Sequence, residues 1–600
     1  MPLKGYCIAI VDCDNGNNIV TLWEAKFSDD AAVADLKESL NRLHMPGRKA
    51  IAHSVVYCHP IVRERGHLLP KRRFADKVVI DAAFMEECVI VDDAHELSDV
   101  RDKLRGPSED SVFLFALCSI INTAGTPTFY QRGRDPTKKR RQARAPSEDA
   151  KNDALCKTQK PSQDEAIYNG RPHTVTGPSI SIFHPIFQTF SQRLSKPFKN
   201  TDYDREDFRT ANELLQKSAA YYPDETQRQL AIEPLFAHFL GAMVLAPATL
   251  HSGQQMFKPD GVLHVQCGPF KTRESGRTKM CSDINEINNG VGLGGCDPME
   301  QAEKDYVLVC TAPELQPLRR VSCMPAFLMA VTGPSVSISG AVYLDGAVIG
   351  HFLLVPPTPC KKVPAGYPSY RDQHIGQLVH TFRALRRCLD DLDVCYGQMK
   401  PSDFSNYEFL PAPHFKTFTP KNFEPVQLRY IKRLNSRFIR DPRSIFFAEA
   451  SGGFLQPTRC VVKFTSQYCK EAHELMFNEG VAARLLHCGW EDSVGMYVVI
   501  TEFLEEPKHA SPSPEGLERL RKALETFHRK GFVFGDLRMP NIILDTDGHP
   551  RLIDFEWSGR EGEVQYPANL NTGAGFPEGV DTCDFITAEH DRVMLKKYEE

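Results

Sequence analysis

No apolar run in the 600-residue sequence reaches the roughly 18–20 residues that a membrane span requires, so no membrane partner is expected. The nearest, residues 235–248, contains His238 and reads as a buried helix. No secretory leader is expected either, because the N-terminal apolar run Cys7 to Val11 is short and closes on Asp12. The 18 cysteines are scattered without a Cys-x-x-Cys pair, which excludes a disulfide scaffold and points to a reducing, intracellular compartment. Neither sign of charge dominates: 72 Lys and Arg stand against 77 Asp and Glu. A net charge of -5 rules out a uniformly basic nucleic-acid coat, so any contact with DNA must be local. What is present, 42% hydrophobic and 25% charged residues, describes a globular chain. At roughly 150 residues per domain it holds about three or four domains.

Residues 1–122 alternate short β-rich runs (Cys7–Val11, Ile19–Trp23, Val55–Tyr57, Val78–Ile80, Val112–Leu117) with one helical stretch. In that stretch, 32–43, Val33, Leu36, Leu40 and Leu43 share one face. Strand, turn Asp14–Asn17, strand and amphipathic helix is the opening of a β-grasp, ubiquitin-like module; the alternative is another small α+β domain. Residues 123–175 form a polar linker. Its compact run Lys138–Arg144 looks like a nuclear-import signal or a phosphate-binding patch. Residues 176–365 read as helices at 205–222 and 227–245 followed by strands at Gly261–Val265, Tyr306–Cys310, Ser335–Ser339 and Val348–Val355. A connecting helix, 372–392, and a proline-rich segment fill 366–425, and a final unit spans 426–600. The fold class is therefore multi-domain, mixing α+β with α/β.

The most informative residues are Gly535-Asp536-Leu537-Arg538-Met539-Pro540-Asn541, then the strand Ile542–Leu544, a polar turn, and Ile553-Asp554-Phe555-Glu556-Trp557. Phosphoryl transfer needs one carboxylate at the acceptor hydroxyl and oxygen ligands for Mg²⁺, and this spacing lets Asp536, Asn541 and Asp554 converge on one triphosphate. Upstream, Lys463 lies inside the apolar strand Cys460–Phe464, and the helix 467–480 carries Glu471 and Glu474. The order Lys, Glu, Asp, Asn, Asp resembles protein kinases and implies a two-lobe fold using ATP and Mg²⁺. The resemblance gives Asp536 as catalytic base, Lys463 on the α- and β-phosphates with Glu471 behind it, Arg538 on the γ-phosphate, and Asn541 and Asp554 as metal ligands. Departures are Phe534 where His is usual, Arg538 for Lys, Glu556 for Gly, and no glycine in Asn435–Pro442, where Arg437 and Arg440 offer an alternative phosphate grip. Gly535–Asn541, Ile553–Trp557 and His590–Leu595 are similar to motifs of the fungal-type protein kinases, in which these departures are family traits.

In the middle unit, Pro259-Asp260 opens a strand and Glu286-Ile287-Asn288 follows about 25 residues on, ahead of a Gln301-bearing helix. This resembles a restriction-endonuclease-like core, in which Asp260 and Glu286 would hold a divalent ion. Asn288 stands where a charge-stabilising Lys is needed, so the domain reads as a binding or dimerising remnant without nuclease activity. A ubiquitin-like N-terminal module joined to nuclease-like and kinase-like parts resembles Crinkler-type effectors, which implies action in a nucleus, in its own cell or in a host reached by unconventional secretion. The reading is thus a Ser/Thr-type protein kinase with a protein substrate and a possible DNA or nuclear partner. Three rivals remain: a pseudokinase scaffold, a small-molecule kinase of the aminoglycoside or choline type, and a DNA-targeting nuclease-like effector.

Overall fold

The structure is a computed structural model. It describes residues 4–12, 18–27, 44–45, 49–58, 89–90, 112–122, 145–160, 166–199, 202–241, 250–252, 255–257, 261–266, 279–288, 296–312, 315–319, 321–333, 335–344, 346–355, 370–399, 412–420, 424–434, 443–452, 457–505, 512–571 and 575–598. The chain divides into two compact units, 1–132 and 133–600.

In the first unit, β1 (Lys4–Asp12) and β2 (Asn18–Phe27) form an antiparallel hairpin. The last strand, β4 (Val112–Asn122), runs parallel beside β1 and pairs antiparallel with β3 (Lys49–Cys58). The order β2-β1-β4-β3 puts the first and last strands together at the centre. The helix predicted over 32–43 and the strand predicted at Val78–Ile80 lie outside the described residues, as does the basic run 138–144.

The described part of the second unit opens within the predicted linker, with short helices at Pro146–Asp149 and Asn152–Thr158 and with Ile167 and Val175 buried; three longer helices follow, α1 (Pro185–Ser195), α2 (Arg205–Ser218) and α3 (Glu225–Leu240). Each starts at a side chain that accepts from the first turn: His184 from the Ile186 amide, Asp204 from Asp207, and Asp224 from Gln227. Arg228 is fully buried and offsets its charge by donating to the carbonyls of Ser218, Ala220 and Gly333. A five-stranded sheet follows, ordered β9-β8-β7-β6-β5 with β5 Gly261–Gln266, β6 Lys279–Asn288, β7 Ala326–Thr332, β8 Ser335–Tyr343 and β9 Ala347–Val355. Only β6 and β7 are parallel within it, and α4 (Pro298–Cys310) makes the crossover between them.

Two predictions fail here. Tyr306–Cys310 is not a strand but the last turn of α4, because Tyr306, Val309 and Cys310 bury one helical face. The helix predicted as a connector is α5 (Tyr370–Gly397), and it is a core element: Leu378, Val379, Phe382, Leu385, Leu389, Leu392 and Tyr396 are all buried. It packs against α1, α2 and α3.

Beyond it an antiparallel sheet runs in the order β10-β11-β12-β13-β15-β14, comprising β10 Thr417–Phe418, β11 Val426–Arg433, β12 Ser444–Gly452, β13 Thr458–Thr465, β14 Leu485–Glu491 and β15 Met496–Glu502. This sheet shares one continuous apolar core with α1–α5 and the five-stranded sheet. Phe183 meets Phe446 edge-on at 6.4 Å, the Ser181 hydroxyl donates to the Val494 carbonyl at 2.7 Å, and the His414 amide donates to the Ile182 carbonyl at 2.9 Å. A second core gathers α6 (Lys470–Asn478), α7 (Pro514–Arg529) and α8 (Ala588–Lys596) around the loop 532–555.

Candidate active site

The site is assembled on two short-range devices and one long-range one. Helix α7 starts at Ser513, whose hydroxyl accepts from the Gly516 amide, and buries Leu520, Ala523, Leu524 and Phe527 along one face. It stops at Gly531, whose φ of +75° a side chain would strain. The short strand Phe532–Val533 then delivers the chain to Gly535, at φ +83°, where an added Cβ would lie 2.8 Å from Ile586. From there the loop turns through Asp536 into a 3₁₀ turn, Met539–Asn541.

The long-range device is Asp591 on α8. It is fully buried, and its carboxylate accepts from the amides of Phe534 and Gly535 at 2.8 Å each, with His528 of α7 at 2.9 Å. The Ser558 hydroxyl donates to the Phe534 carbonyl, and the Tyr598 hydroxyl to that of Leu537, both at 3.2 Å. The loop therefore has backbone support although Phe534 replaces the usual imidazole. Sequence reasoning missed Asp591 and His528 as anchors; the His590–Leu595 motif was a local signal for Asp591, and His528 carried none.

Within the loop the Asn541 side-chain amide donates to Asp536 Oδ2 at 2.6 Å and to the Asp536 carbonyl at 3.0 Å. Arg538 does not stand free for a phosphate. Its Nη2 donates to Asp536 Oδ2 at 2.9 Å, its Nε binds Oδ1, and its guanidinium lies 4.7 Å over the Phe576 ring. Asp554 follows the hairpin Ile542–Leu544/Pro550–Leu552, with the Ile553 amide donating to the Asn541 carbonyl at 2.9 Å. Asp554 has φ +71°, a left-handed conformation that Asp tolerates better than most residues.

Lys463 comes to this loop from β13. Its Nζ lies 2.8 Å from Asp554 Oδ1 and 2.8 Å from Glu556 Oε1. Burial works against the ammonium, but the carboxylates of Asp554 and Glu556 outweigh it and hold the amine above its ordinary range. The pair predicted between Glu471 and Lys463 does not form. The Glu471 side chain is 74% exposed and lies 3.9 Å from Arg560. The physical reason is the face that α6 buries: Ala472, His473 and Met476 turn inward, so Glu471 faces outward. His473 fills the inner position. It stacks on Phe555 at 4.5 Å, lies 2.7 Å from the Tyr468 hydroxyl and meets the Ala483 carbonyl at 2.9 Å. Burial lowers its pKa to about 4, so the ring is neutral at physiological pH.

The segment Asn435–Pro442, with Arg437 and Arg440, lies outside the described residues, as does Asp260. Glu286 and Asn288 lie on one face of β6, in register with Ala330 and Thr332 of β7. Gly261, the residue after Asp260, pairs with Asn285, the residue before Glu286.

No protein-family model matches the chain. Over 61 residues, 10% of its length, it is 38% identical to the hormonally up-regulated neu tumor-associated kinase of Mus musculus, and the proteins of Homo sapiens and Pan troglodytes match to the same extent. The chain spans only 8% of the length of these relatives. Over that stretch, then, it is similar to a protein kinase.

Proposed function

We propose that the C-terminal part of the chain, residues 426–600, is a two-lobe kinase that transfers the γ-phosphate of ATP to hydroxyls of a protein substrate. The observation that carries this reading is two side-chain pairs, Lys463–Asp554 and Asn541–Asp536, drawn from two sheets and a loop and tied to each other by the Ile553 amide, which donates to the Asn541 carbonyl. The donor set fits Mg²⁺: a carboxylate on Asp554 and the amide oxygen of Asn541 are hard oxygen ligands, and the Asn541 nitrogen is already committed to Asp536. Mg·ATP would supply the electrophilic phosphorus and the charge neutralisation. Lys463 would bind the α- and β-phosphates, and Asp536 would orient the acceptor hydroxyl and take its proton at a carboxylate oxygen. Arg538 would leave Asp536 to meet the γ-phosphate.

One observation favours a second reading. Both Asp536 oxygens are held by Arg538 and Asn541, which suits a nucleotide-binding scaffold that does not turn over. Transfer of label from ATP in Mg²⁺ to a generic basic protein separates the two. The kinase reading expects label with the unaltered chain and a loss of about three orders of magnitude in Asp536→Asn. Nucleotide binding without label in either protein would establish the scaffold. Label on an aminoglycoside or choline instead of protein would assign a small-molecule kinase.

The further reading, a Crinkler-type effector acting in a nucleus with the middle domain as a DNA-binding nuclease remnant, rests on the sequences of the N-terminal module and the linker. The β2-β1-β4-β3 order of the first unit supports a ubiquitin-like module there.

A further inference from the structure

Lys463 is gripped by two carboxylates, and a nucleotide site leaves it only one of them. Asp554 is the residue best suited to a divalent cation, and a carboxylate that turns to a cation shares its charge with the ammonium beside it. A lysine that must meet phosphates needs an anion that stays with it. The usual source, a glutamate on the following helix, is missing here, because the polar α6 side chain turned inward toward the loop is the neutral His473.

We propose that Glu556 is the positioning residue for Lys463, supplying from the Asp554–Trp557 turn the anion that Glu471 does not. The proposal rests on the kinase reading and deepens it. Three observations carry it. The Glu556 Oε1 to Lys463 Nζ distance is 2.8 Å, equal to that of Asp554. Its side chain is 28% exposed against 74% for Glu471, so its attraction is far less screened by solvent. Its backbone is held where the chain enters it: Phe555 is buried between His473 and Phe534, and the Glu556 amide donates to Asp554 Oδ1 at 3.4 Å. With Phe555 anchored in the core, residues 554 and 556 present their carboxylates to the same ammonium. Glycine at position 556, as kinases usually have, could not do this. The residue that stands where kinases usually have glycine is thus the one that brings a second carboxylate to Lys463.

The test uses the full chain, a fluorescent Mg·ADP analogue for affinity, and unfolding midpoints for coupling. Glu556→Gln should weaken Mg·ADP binding about tenfold, the scale of one charge-assisted contact, and raise the KM for ATP more than it lowers kcat. Glu471→Gln should stay within roughly twofold of the unaltered chain, as expected for an exposed pair. Glu556→Gln should also lower the unfolding midpoint when Lys463 is present and not in the Lys463→Met background. Weaker binding in Glu471→Gln with no change in Glu556→Gln overturns the proposal, and so does an equal midpoint loss in both backgrounds. Failure of the unaltered chain to bind Mg·ADP would instead remove the kinase reading, and this inference with it.

Discussion

Among the described residues two cores hold the second unit of this protein, and they differ in how far along the chain their residues lie. The core of α6, α7 and α8 runs from Ala472 to Leu595 and is local in sequence. The other joins Ala166 to Ile500, so the sheet that carries Lys463 is buried against helices more than 200 residues upstream. Asp536, Asn541 and Asp554 thus sit on an element that supports itself, whereas Lys463 sits on one that borrows its support. The seam is closely fitted: the Gln192 side-chain amide donates to the Asp492 carbonyl at 2.7 Å, and a Cβ at Gly495, φ +72°, would collide with Gln188. A proline-rich stretch in the sequence looked like a free connector, yet His414 within it contacts the carbonyls of Ser181 and Ile182.

The contrast is most severely tested by cutting the chain at residue 412. The fragment 412–600 should lack a cooperative unfolding transition for its sheet and aggregate, since Phe446, Val426 and Leu428 lose their apolar cover at about 1.5–3 kcal/mol each. A fragment from residue 166 should stay soluble, and a soluble, cooperative 412–600 would show that the shared core is dispensable.

Acid probes both cores with smaller effect. His184 at the seam and His473 in the C-terminal core are each lowered to about 4 by burial, His184 further by His414. Unfolded histidine, near 6.5, takes up protons first, so the stability each contributes is complete above pH 6.5 and is lost as pH falls toward 4, on the order of 3 kcal/mol per residue. His184→Asn keeps a cap for α1 and should flatten the pH profile of the larger core alone. His473→Gln should do so for the other, and one common profile for both variants would show that the cores do not unfold separately.

The mildest change is Glu303→Gln on α4. Glu303 is fully buried with Glu300 beside it, and both accept from the Asn169 amide, at 2.7 and 3.2 Å. Burial first, then the Glu300 charge, pushes its carboxyl well above 4.5. Its stabilising contribution is full below 4.5 and fades as pH rises, so the glutamine, which never ionises, should raise the unfolding midpoint at neutral pH and leave it unchanged in acid. A lower midpoint at neutral pH would mean that Glu303 is needed as an anion.

Much of the site was legible because it is short-range. Asp536, Asn541 and Asp554 are spaced by one loop and one hairpin, and the caps at Asp204, Asp224 and Ser513 each act within three residues. Strand β7 was not legible, because its run Ala326–Val331 is buried throughout and shows no alternation that distinguishes a strand from a helix. The turn Tyr306–Cys310 failed for the same reason in reverse.

The sequence by itself determined the spacing of Asp536, Asn541 and Asp554, the ends of the flanking helices and the strand that presents Lys463, since hydrogen bonds and caps between near neighbours depend on residue type and spacing. Only the tertiary structure decided which carboxylate meets Lys463, that Asp591 clamps the loop from 56 residues beyond Gly535, and that the Lys463 sheet belongs to the upstream core. These depend on which face of an element is buried, and that is settled by packing between segments distant in the chain.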